Sequence, residues 1–364
     1  MYTKYVFIAM SGGVDSSVAA YLLKEEGYIV TGITMRLYDE FSDDTESSLK
    51  NIVLAKAVAD KLNIPFHALD MRDEFRANVI EKFISDYEAG LTPNPCIICN
   101  KTVKFGDFIT RLDKEFLNED VEAIIATGHY AIIEVSASGR YCLRKSNDRS
   151  KDQSYFLYTL NQDVLSRTLF PLGSFSSKEY IRQIAEDQGF INAKAKDSQD
   201  VCFVPSGKYS EFIHSYTNKE YKTGNFVDMD GNILGRHKGI VNYTIGQRKG
   251  LDLSLKKPMY VYSLDISSNE IVLADNNDLF GSKLIADNLN WISIEAPDVG
   301  AKLHALGRIR YRHAEAPCTV TILEGGKAEV VFDEPQRAIT PGQSVVFYDT
   351  QTASYVLGGG TIQP

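Results

Sequence analysis

Cysteine is scarce. Five residues in 364 (Cys96, Cys99, Cys142, Cys202 and Cys318) are too few and too scattered for the disulfide framework on which small secreted domains depend. Reduced thiols are the expectation, and any special pair is chemical. No apolar run approaches the roughly 18 residues that a membrane span requires. The apolar patch from Tyr5 to Met10 passes straight into a Gly/Ser/Asp loop, without the pattern of a leader or an anchor, so a cytoplasmic protein is expected. Positive charge is also short. The 39 Lys and Arg against 48 Asp and Glu leave a net charge of −9, which argues against a protein coated in nucleic acid but leaves room for a local basic groove. Six histidines (His67, His129, His214, His237, His304, His313) include no ligand-spaced pair, so zinc has no obvious site. With 44% hydrophobic and 24% charged residues, 26 Gly and 11 Pro, disorder, collagen and mucin-like stalks are excluded.

What remains is an ordinary globular chain of about two to three domains at roughly 150 residues each. Its first 130 residues alternate β-rich runs (Tyr5–Met10, Ile29–Met35, Phe66–Asp70, Ala123–Thr127) with helical stretches (Ser16–Glu26, Ser47–Leu62, Glu74–Glu88). That alternation predicts an α/β domain with a doubly wound parallel sheet. A hairpin from Ile132 to Leu143 turning at Ser138-Gly139, and helices at Gln153–Leu160 and Ser177–Gln188, are expected next. Beyond about Pro205, Gly-rich turns separate short alternating strands (Met259–Leu264, Ile271–Ala274, Cys318–Ile322, Ala328–Phe332, Ser344–Tyr348). The rest is therefore expected to be mostly β, ending in a barrel or sandwich. The run Gly358-Gly359-Gly360 is too short for a linker, and no repeat or low-complexity segment is visible.

The strongest local signal is Ser11-Gly12-Gly13-Val14-Asp15-Ser16-Ser17 between a strand and a helix. Glycines let the backbone approach a phosphate, and amides at the helix start supply donors and a positive dipole end. A plain helix cap is the bland alternative, but seven suitable residues at a strand-to-helix junction favour nucleotide binding. No G-x-x-x-x-G-K-[ST] occurs, so no Walker lysine grips a γ-phosphate. The loop resembles the S-G-G-x-D-S loop of PP-loop enzymes, which split ATP between the α and β phosphates.

A second signal is Thr92-Pro93-Asn94-Pro95-Cys96-Ile97-Ile98-Cys99-Asn100-Lys101, a Pro-rich loop opening a helix. A cysteine at a helix start beside Lys101 and Lys104 is expected to have a lowered pKa. Cys202, in the segment Lys196 to Phe203, could join it only in three dimensions, while Cys142 and Cys318 read as buried small hydrophobes.

Ten blocks in order, namely SGGVDSS, TPNPCIICNKTVKF, ATGHYA, KDQSYFLYTL, LFPLG, KDSQDVCFV, YTIGQRKGL, RYRH, ITPGQSVVFYD and LGGG, resemble the bacterial tRNA-specific 2-thiouridylases, the MnmA (TrmU) family. The resemblance spans essentially the whole chain. It implies three units: a PP-loop ATP-binding and catalytic domain at 1–207, a small central domain at 208–276, and a C-terminal β-barrel contacting tRNA at 277–364. It implies 2-thiolation of the wobble uridine in tRNAs for Lys, Glu and Gln, with ATP (and Mg2+) and a cysteine persulfide supplied by a cysteine desulfurase or a sulfur-relay protein. By position it implies an ATP site at Ala9, Met10, Ser11, Gly12, Gly13, Val14, Asp15, Ser16, Met35 and Gly128. Cys99 corresponds to the nucleophile and Cys202 to the persulfide carrier, able to pair as a disulfide, with Asp15 also catalytic. Asn94, Pro95 and Cys96 would meet the target base. His129, Lys151, Asp152, Gln153, Arg310, Tyr311, Arg312 and Gln343 would meet tRNA.

One departure matters: the family's commoner pattern has Asp where this chain has Cys96. Either Cys96, Asp197, Asp200 or solvent takes that role, or Cys96, Cys99 and Cys202 form three thiolate ligands of a [4Fe-4S] cluster. Two other classes stay open from the loop alone, an ATP-dependent amide ligase and a non-catalytic RNA-binding module. The second would be favoured by loss of Asp15 or Cys202, and both are present.

Overall fold

The computed structural model describes residues 5–39, 46–117, 124–195, 201–204 and 208–364. The chain opens with β1 (Tyr5–Ala9), α1 (Val14–Glu25), β2 (Ile29–Arg36), α2 (Glu46–Leu62) and β3 (Phe66–Asp70). Two longer helices follow, α3 over 72–88 and α4 over 95–116, each containing a π-helical segment, Arg76–Ile80 and Asn100–Asp107 respectively. Then come β4 (Ile124–Thr127), the hairpin β5 (Ala131–Val135) and β6 (Tyr141–Lys145), α5 (Gln162–Ser166), β7 (Thr168–Leu169) and α6 (Lys178–Asp187).

Strands β3-β2-β1-β4-β7 form one parallel sheet. Alternation along β1 explains why both faces are covered: Val6 and Ile8 face the core of α1, α2 and α6, while Phe7 faces that of α3 and α4. The doubly wound α/β reading therefore holds. Strand order reverses between β1 and β4, and the crevice beyond their carboxyl ends is where such sheets bind ligands.

After α7 (Tyr209–Thr217), strands β8 (Gly224–Val227), β9 (Ile233–His237), β10 (Tyr260–Asp265) and β11 (Glu270–Ala274) make a sheet ordered β10-β11-β8-β9. The remaining strands are β12 (Phe280–Trp291), β13 (Lys302–Arg308), β14 (Ala316–Leu323), β15 (Lys327–Arg337), β16 (Ser344–Tyr348) and β17 (Tyr355–Ile362). They run β12-β15-β14-β13-β16-β17 and close through β12–β17 into an antiparallel barrel. The hairpin β5–β6 extends this barrel, with Leu143 opposite Val356 on β17. A single core consequently runs from Phe75 and Phe108 through Tyr155 and Tyr158 to Val346 and Tyr348.

One expectation is corrected. The segment Gln153–Leu160 is no α-helix but a 3-10 turn at Ser154–Leu157. Its Tyr155, Leu157, Tyr158 and Leu160 are all buried, leaving no polar face, and Asp152, Gln153 and Ser154 spend their side chains on local and cross-chain hydrogen bonds. Gly358-Gly359-Gly360 lies inside β17, where a Cβ at Gly359 would meet the Tyr158 ring and the Val345 carbonyl at 2.7 Å. The position of Ala123, expected to begin β4, lies outside the described residues.

Candidate active site

The phosphate-type loop sits at the carboxyl end of β1. Gly12 has φ +77°, the left-handed region that favours glycine. Ser16 Oγ accepts from the Ser11 amide (3.1 Å) and donates to the Gly13 carbonyl (3.2 Å), and Ser17 Oγ donates to the same carbonyl (2.9 Å). Thr34 Oγ1 donates to the Met10 carbonyl at 2.7 Å, and Asn192 Nδ2 donates to the Gly12 carbonyl at 2.7 Å. The loop is thus braced from β2 and from the segment after α6. Met10 is buried, and Met35 packs partly buried near the end of β2.

Gly128, just past β4, approaches the first turn of α1 closely. A Cβ there would lie 2.8 Å from Ser16 N. Asp15 is held from two sides: Tyr130 Oη donates to its Oδ1 at 2.6 Å, and Lys178 Nζ pairs with its Oδ2 at 2.7 Å. Gln153 in turn clamps Tyr130, accepting from its amide and donating its own amide to its carbonyl, both at 2.9 Å.

The thiols lie on the other side of β4. Asn94 caps α4 by accepting from the Ile97 amide (3.4 Å), and Pro95 occupies the first helical position. Cys96 is thereby exposed and Cys99 buried. Cys202 is exposed, anchored by Phe203, whose ring packs edge-on against Phe75 and Phe83 at 5.6 and 5.3 Å, and by the Tyr38 hydroxyl, which donates to the Cys202 carbonyl. After desolvation, the charges of Cys99 and then Cys96 act on the Cys202 thiol.

The expected lowering of thiol pKa is overturned. Removal from water pushes Cys99 up to about 11, and Lys104 opposes this only in part. Cys202 and Cys96, although their residues reach solvent, are also raised by the protein packed around their thiols, and the neighbouring thiols help push Cys202 up to about 12. Among the described residues no three His, Cys, Asp or Glu side chains gather as a metal ligand set. Cys96, Cys99 and Cys202 are not placed as such a set. Asp197 and Asp200 lie outside the described residues. Cys142 and Cys318 are buried, as expected.

His129 joins the two halves. Its Nδ1 is 2.7 Å from Thr127 Oγ1, and its ring stands 6.0 Å from Phe105 on α4 and 5.9 Å from Phe170. Desolvation, aided by Lys104, drives its pKa well below the usual imidazole range, so it is neutral at pH 7.

The other residues expected at tRNA divide into two groups. Asp152 is buried, accepting from the Ser146 and Ser154 amides (3.1 and 3.2 Å) and from Ser154 Oγ (2.8 Å). Arg310 bonds the carbonyls of Ile245 (3.2 Å) and Ala338 (3.1 Å) and the Thr340 hydroxyl, tying the central sheet's neighbourhood to the barrel. Gln343 Nε2 donates to the Thr92 carbonyl at 2.7 Å, and Thr92 N donates to the Pro341 carbonyl at 2.9 Å. With the Gln153 clamp, these four carry structural bonds. Tyr311 is half-buried on Phe156 (ring centroids 4.3 Å), Lys151 is partly exposed, and Arg312 is exposed.

Three family models tile the chain: a tRNA methyl transferase HUP domain over residues 4–206, a tRNA methyl transferase PRC-barrel domain over 210–275, and an aminomethyltransferase β-barrel domain over 281–362. The chain is 46% identical over 365 residues to the tRNA-specific 2-thiouridylase MnmA of Lachnoclostridium phytofermentans, covering 99% of each chain. It is equally 46% identical to the MnmA proteins of Acetivibrio thermocellus, over 100% of each chain, and Clostridioides difficile, over 99% of this chain and 98% of that one. The chain belongs to the MnmA family. A solved U34-tRNA thiolase, NcsA from Methanococcus maripaludis with its [4Fe-4S] cluster, matches 59% of this chain and 64% of that one at 18% identity and a TM-score of 0.35. That likeness is too distant to transfer a cluster to this MnmA-family chain.

Three residues of this site escape sequence reasoning, Tyr130, Lys178 and Asn192, whereas Lys104 is already read beside the cysteines. These three act on the loop from at least 115 residues away. Tyr130 at least stands in the ATGHYA block, but nothing local marks Lys178 or Asn192. Among the described residues no helix is long and apolar enough to cross a membrane.

Proposed function

We propose that this protein is an ATP-dependent tRNA uridine 2-sulfurtransferase acting in the cytoplasm on the wobble uridine of tRNAs for Lys, Glu and Gln. The observation that carries the reading is the junction at β4. Gly128 lies against the amide end of the SGGVDSS loop, and the next residue, His129, lies against the helix that carries Cys96 and Cys99. A phosphate site and a thiol site thus meet across two residues, which an ATP-dependent amide ligase would not need. A methyl transferase, the activity in two of the family-model descriptions, has no use for that pairing either. A non-catalytic RNA-binding module would not need Asp15 held in place by Tyr130 and Lys178.

A uracil carbonyl oxygen is a poor leaving group, so ATP with Mg2+ activates it. O2 attacks the α-phosphorus, the bond to the β-phosphate breaks, and pyrophosphate leaves with the electron pair while the N3 proton goes to solvent. The amides of Ser11 to Ser16 meet the phosphates. Cys202 carries a persulfide received from a cysteine desulfurase or a relay protein. A persulfide is a stronger acid than a thiol, so its terminal sulfur is ionised at neutral pH even where Cys202 itself is not. That sulfur attacks C2 and AMP departs. Cys99 then attacks the Cys202 sulfur, releasing 2-thiouridine and forming a Cys99–Cys202 disulfide that an external reductant reopens. Cys96, with Asn94 and Pro95, lines the approach of the flipped base.

In this reading residues 1–207 do the chemistry, while 208–276 and 277–364 seat the tRNA. Lys151 and Arg312 meet phosphates, and Tyr311 offers an aromatic face. The test is incubation with ATP, unmodified substrate tRNA, a persulfide donor and reductant. AMP, pyrophosphate and 2-thiouridine by nucleoside mass spectrometry are expected. Products limited to ADP and phosphate, with unchanged tRNA, would refute the proposal.

A further inference from the structure

The SGGVDSS loop contains no lysine, yet a lysine reaches it from outside. Lys178 is the first residue of α6, following the cap Ser177, and is only 5% exposed. Two general rules oppose that placement. Buried lysines are rare unless paired, and a cation at a helix start opposes the macrodipole. A residue that breaks local rules is best explained by what it faces. Lys178 faces Asp15, which lies in the first turn of α1 and remains 31% exposed in its side chain.

Asp15 thus holds a buried ammonium at the start of α1, beside the Ser16 amide that Gly128 approaches, while Asp148 and Glu179 answer the start of α6. The placement is also rigid. The Lys178 amide donates to Asp148 Oδ2 at 3.2 Å, and Tyr130 fixes the second oxygen of Asp15 at 2.6 Å, with its ring centroid 5.6 Å from Lys178 Nζ.

We infer that Lys178 is the cation that holds the β- and γ-phosphates of ATP and the pyrophosphate that leaves. Its ammonium rests on Asp15. With ATP bound it shares its donors with the polyphosphate, stabilising the charge that grows on the bridging oxygen as the α–β bond breaks. This deepens the ATP-splitting reading, on which it rests, by naming a leaving-group residue that the loop itself does not supply.

The test compares pyrophosphate and AMP as separate ligands of the full-length protein, by calorimetry with Mg2+ present. Lys178→Met is expected to weaken pyrophosphate binding about 10- to 100-fold, the scale of a lost charge-assisted contact to phosphate, while AMP affinity stays within about twofold. Lys178→Arg should restore most of the pyrophosphate affinity. In single turnover with tRNA, the Met variant should lose AMP formation even at saturating ATP. If it does not fold, as judged by circular dichroism, Lys178→Gln, which keeps a donor to Asp15, takes its place with the same expectation. Unchanged pyrophosphate affinity, or equal losses for AMP and pyrophosphate, overturns the inference, the second because it marks a purely structural role. A wild-type protein that fails to bind pyrophosphate overturns it too. A wild-type protein that binds pyrophosphate through Lys178 but forms no AMP with tRNA would leave this site standing and refute the sulfurtransferase reading instead.

Discussion

Replacing Gly128 by alanine adds one methyl group at the point where β4 meets the ATP loop. That methyl would lie 2.8 Å from Ser16 N, 3.0 Å from Asp15 C and 3.2 Å from Asp15 Cβ, against an ordinary contact of at least 3.4 Å. The opposing atoms belong mostly to the backbone of the first turn of α1, and Val14 and Val18 of that helix are buried behind it. The gap must open by about 0.6 Å without an easy place to go. Overpacking of this kind costs about 1–3 kcal/mol of stability, and a shift of catalytic amides approaching 1 Å costs up to about 100-fold in rate. We therefore expect Gly128→Ala to lower kcat/KM for ATP by about 10-fold or more, measured as AMP release at varied ATP, with only a modest fall in melting temperature. Gly139→Ala is the matched control. Gly139 has φ +82° but no heavy atom within 4 Å of the added methyl, so it carries about 1 kcal/mol of backbone strain and leaves kcat/KM for ATP unchanged. A wild-type kcat/KM in Gly128→Ala, or the same loss in Gly139→Ala, would refute the close-approach reasoning.

Cys99→Ser and Cys202→Ser are each expected to abolish 2-thiouridine formation while tRNA binding persists, and Cys96→Ser to retain measurable thiolation. Loss of all activity in Cys96→Ser would restore the three-thiolate alternative. Because desolvation pushes Cys99 up to about 11 and Cys202 up to about 12, their alkylation by iodoacetamide should rise about tenfold per pH unit between pH 7 and 9. Lys104→Met, by removing the cation that favours the thiolates, should slow it further at each pH. A plateau below pH 8 would contradict the burial account. Lys151→Ala should lower the salt dependence of tRNA binding by about one unit of slope. Arg310→Ala should instead leave the slope unchanged and destabilise the fold by about 1–3 kcal/mol, since its bonds go to Ile245, Ala338 and Thr340. A changed slope in Arg310→Ala would return that guanidinium to the tRNA surface.

What was legible in the sequence was what is encoded locally. The SGGVDSS loop announces itself because strand, glycines and hydroxyl caps follow one another within thirteen residues, from Tyr5 to Ser17. The α4 start does so through Asn94 and Pro95. The direction of the thiol pKa shift is not legible, because proximity to lysine is visible in sequence and burial is not. Cys99 is 6% exposed, and desolvation outweighs Lys104. Strand β17 shows no apolar alternation at its three glycines, whose lack of side chains lets Tyr158 and the Asn290 carbonyl come close. Strand β12 breaks its alternation at Gly281/Lys283 and again at Asp287/Asn290. The spacing over Gln153–Leu160 suggests one apolar face, whereas Tyr155, Leu157, Tyr158 and Leu160 are all interior and only Phe156 is partly exposed.

The same interior segment explains why the barrel bears on the chemistry. Tyr155 Oη donates to the Ser344 carbonyl at 2.9 Å, the Tyr158 hydroxyl meets Ser344 Oγ at 3.1 Å, and Gln343 holds Thr92, two residues before the Asn94 cap. The loop that presents Cys96 is therefore fastened to the barrel as well as to the sheet. At the other end Gln153, one residue before the 3-10 turn, clamps Tyr130 and through it Asp15. An adenylated base is a transient species, and sulfur must reach its C2 within bonding distance before water does. That demands a phosphate site and a thiol site that do not drift apart. The segment from Asp152 to Tyr158 binds the ATP side, through Tyr130, to the barrel that holds the cysteine loop. Gly128 and His129 make the shorter link directly across β4. Two independent tethers, one through the sheet and one through the barrel, hold the same separation.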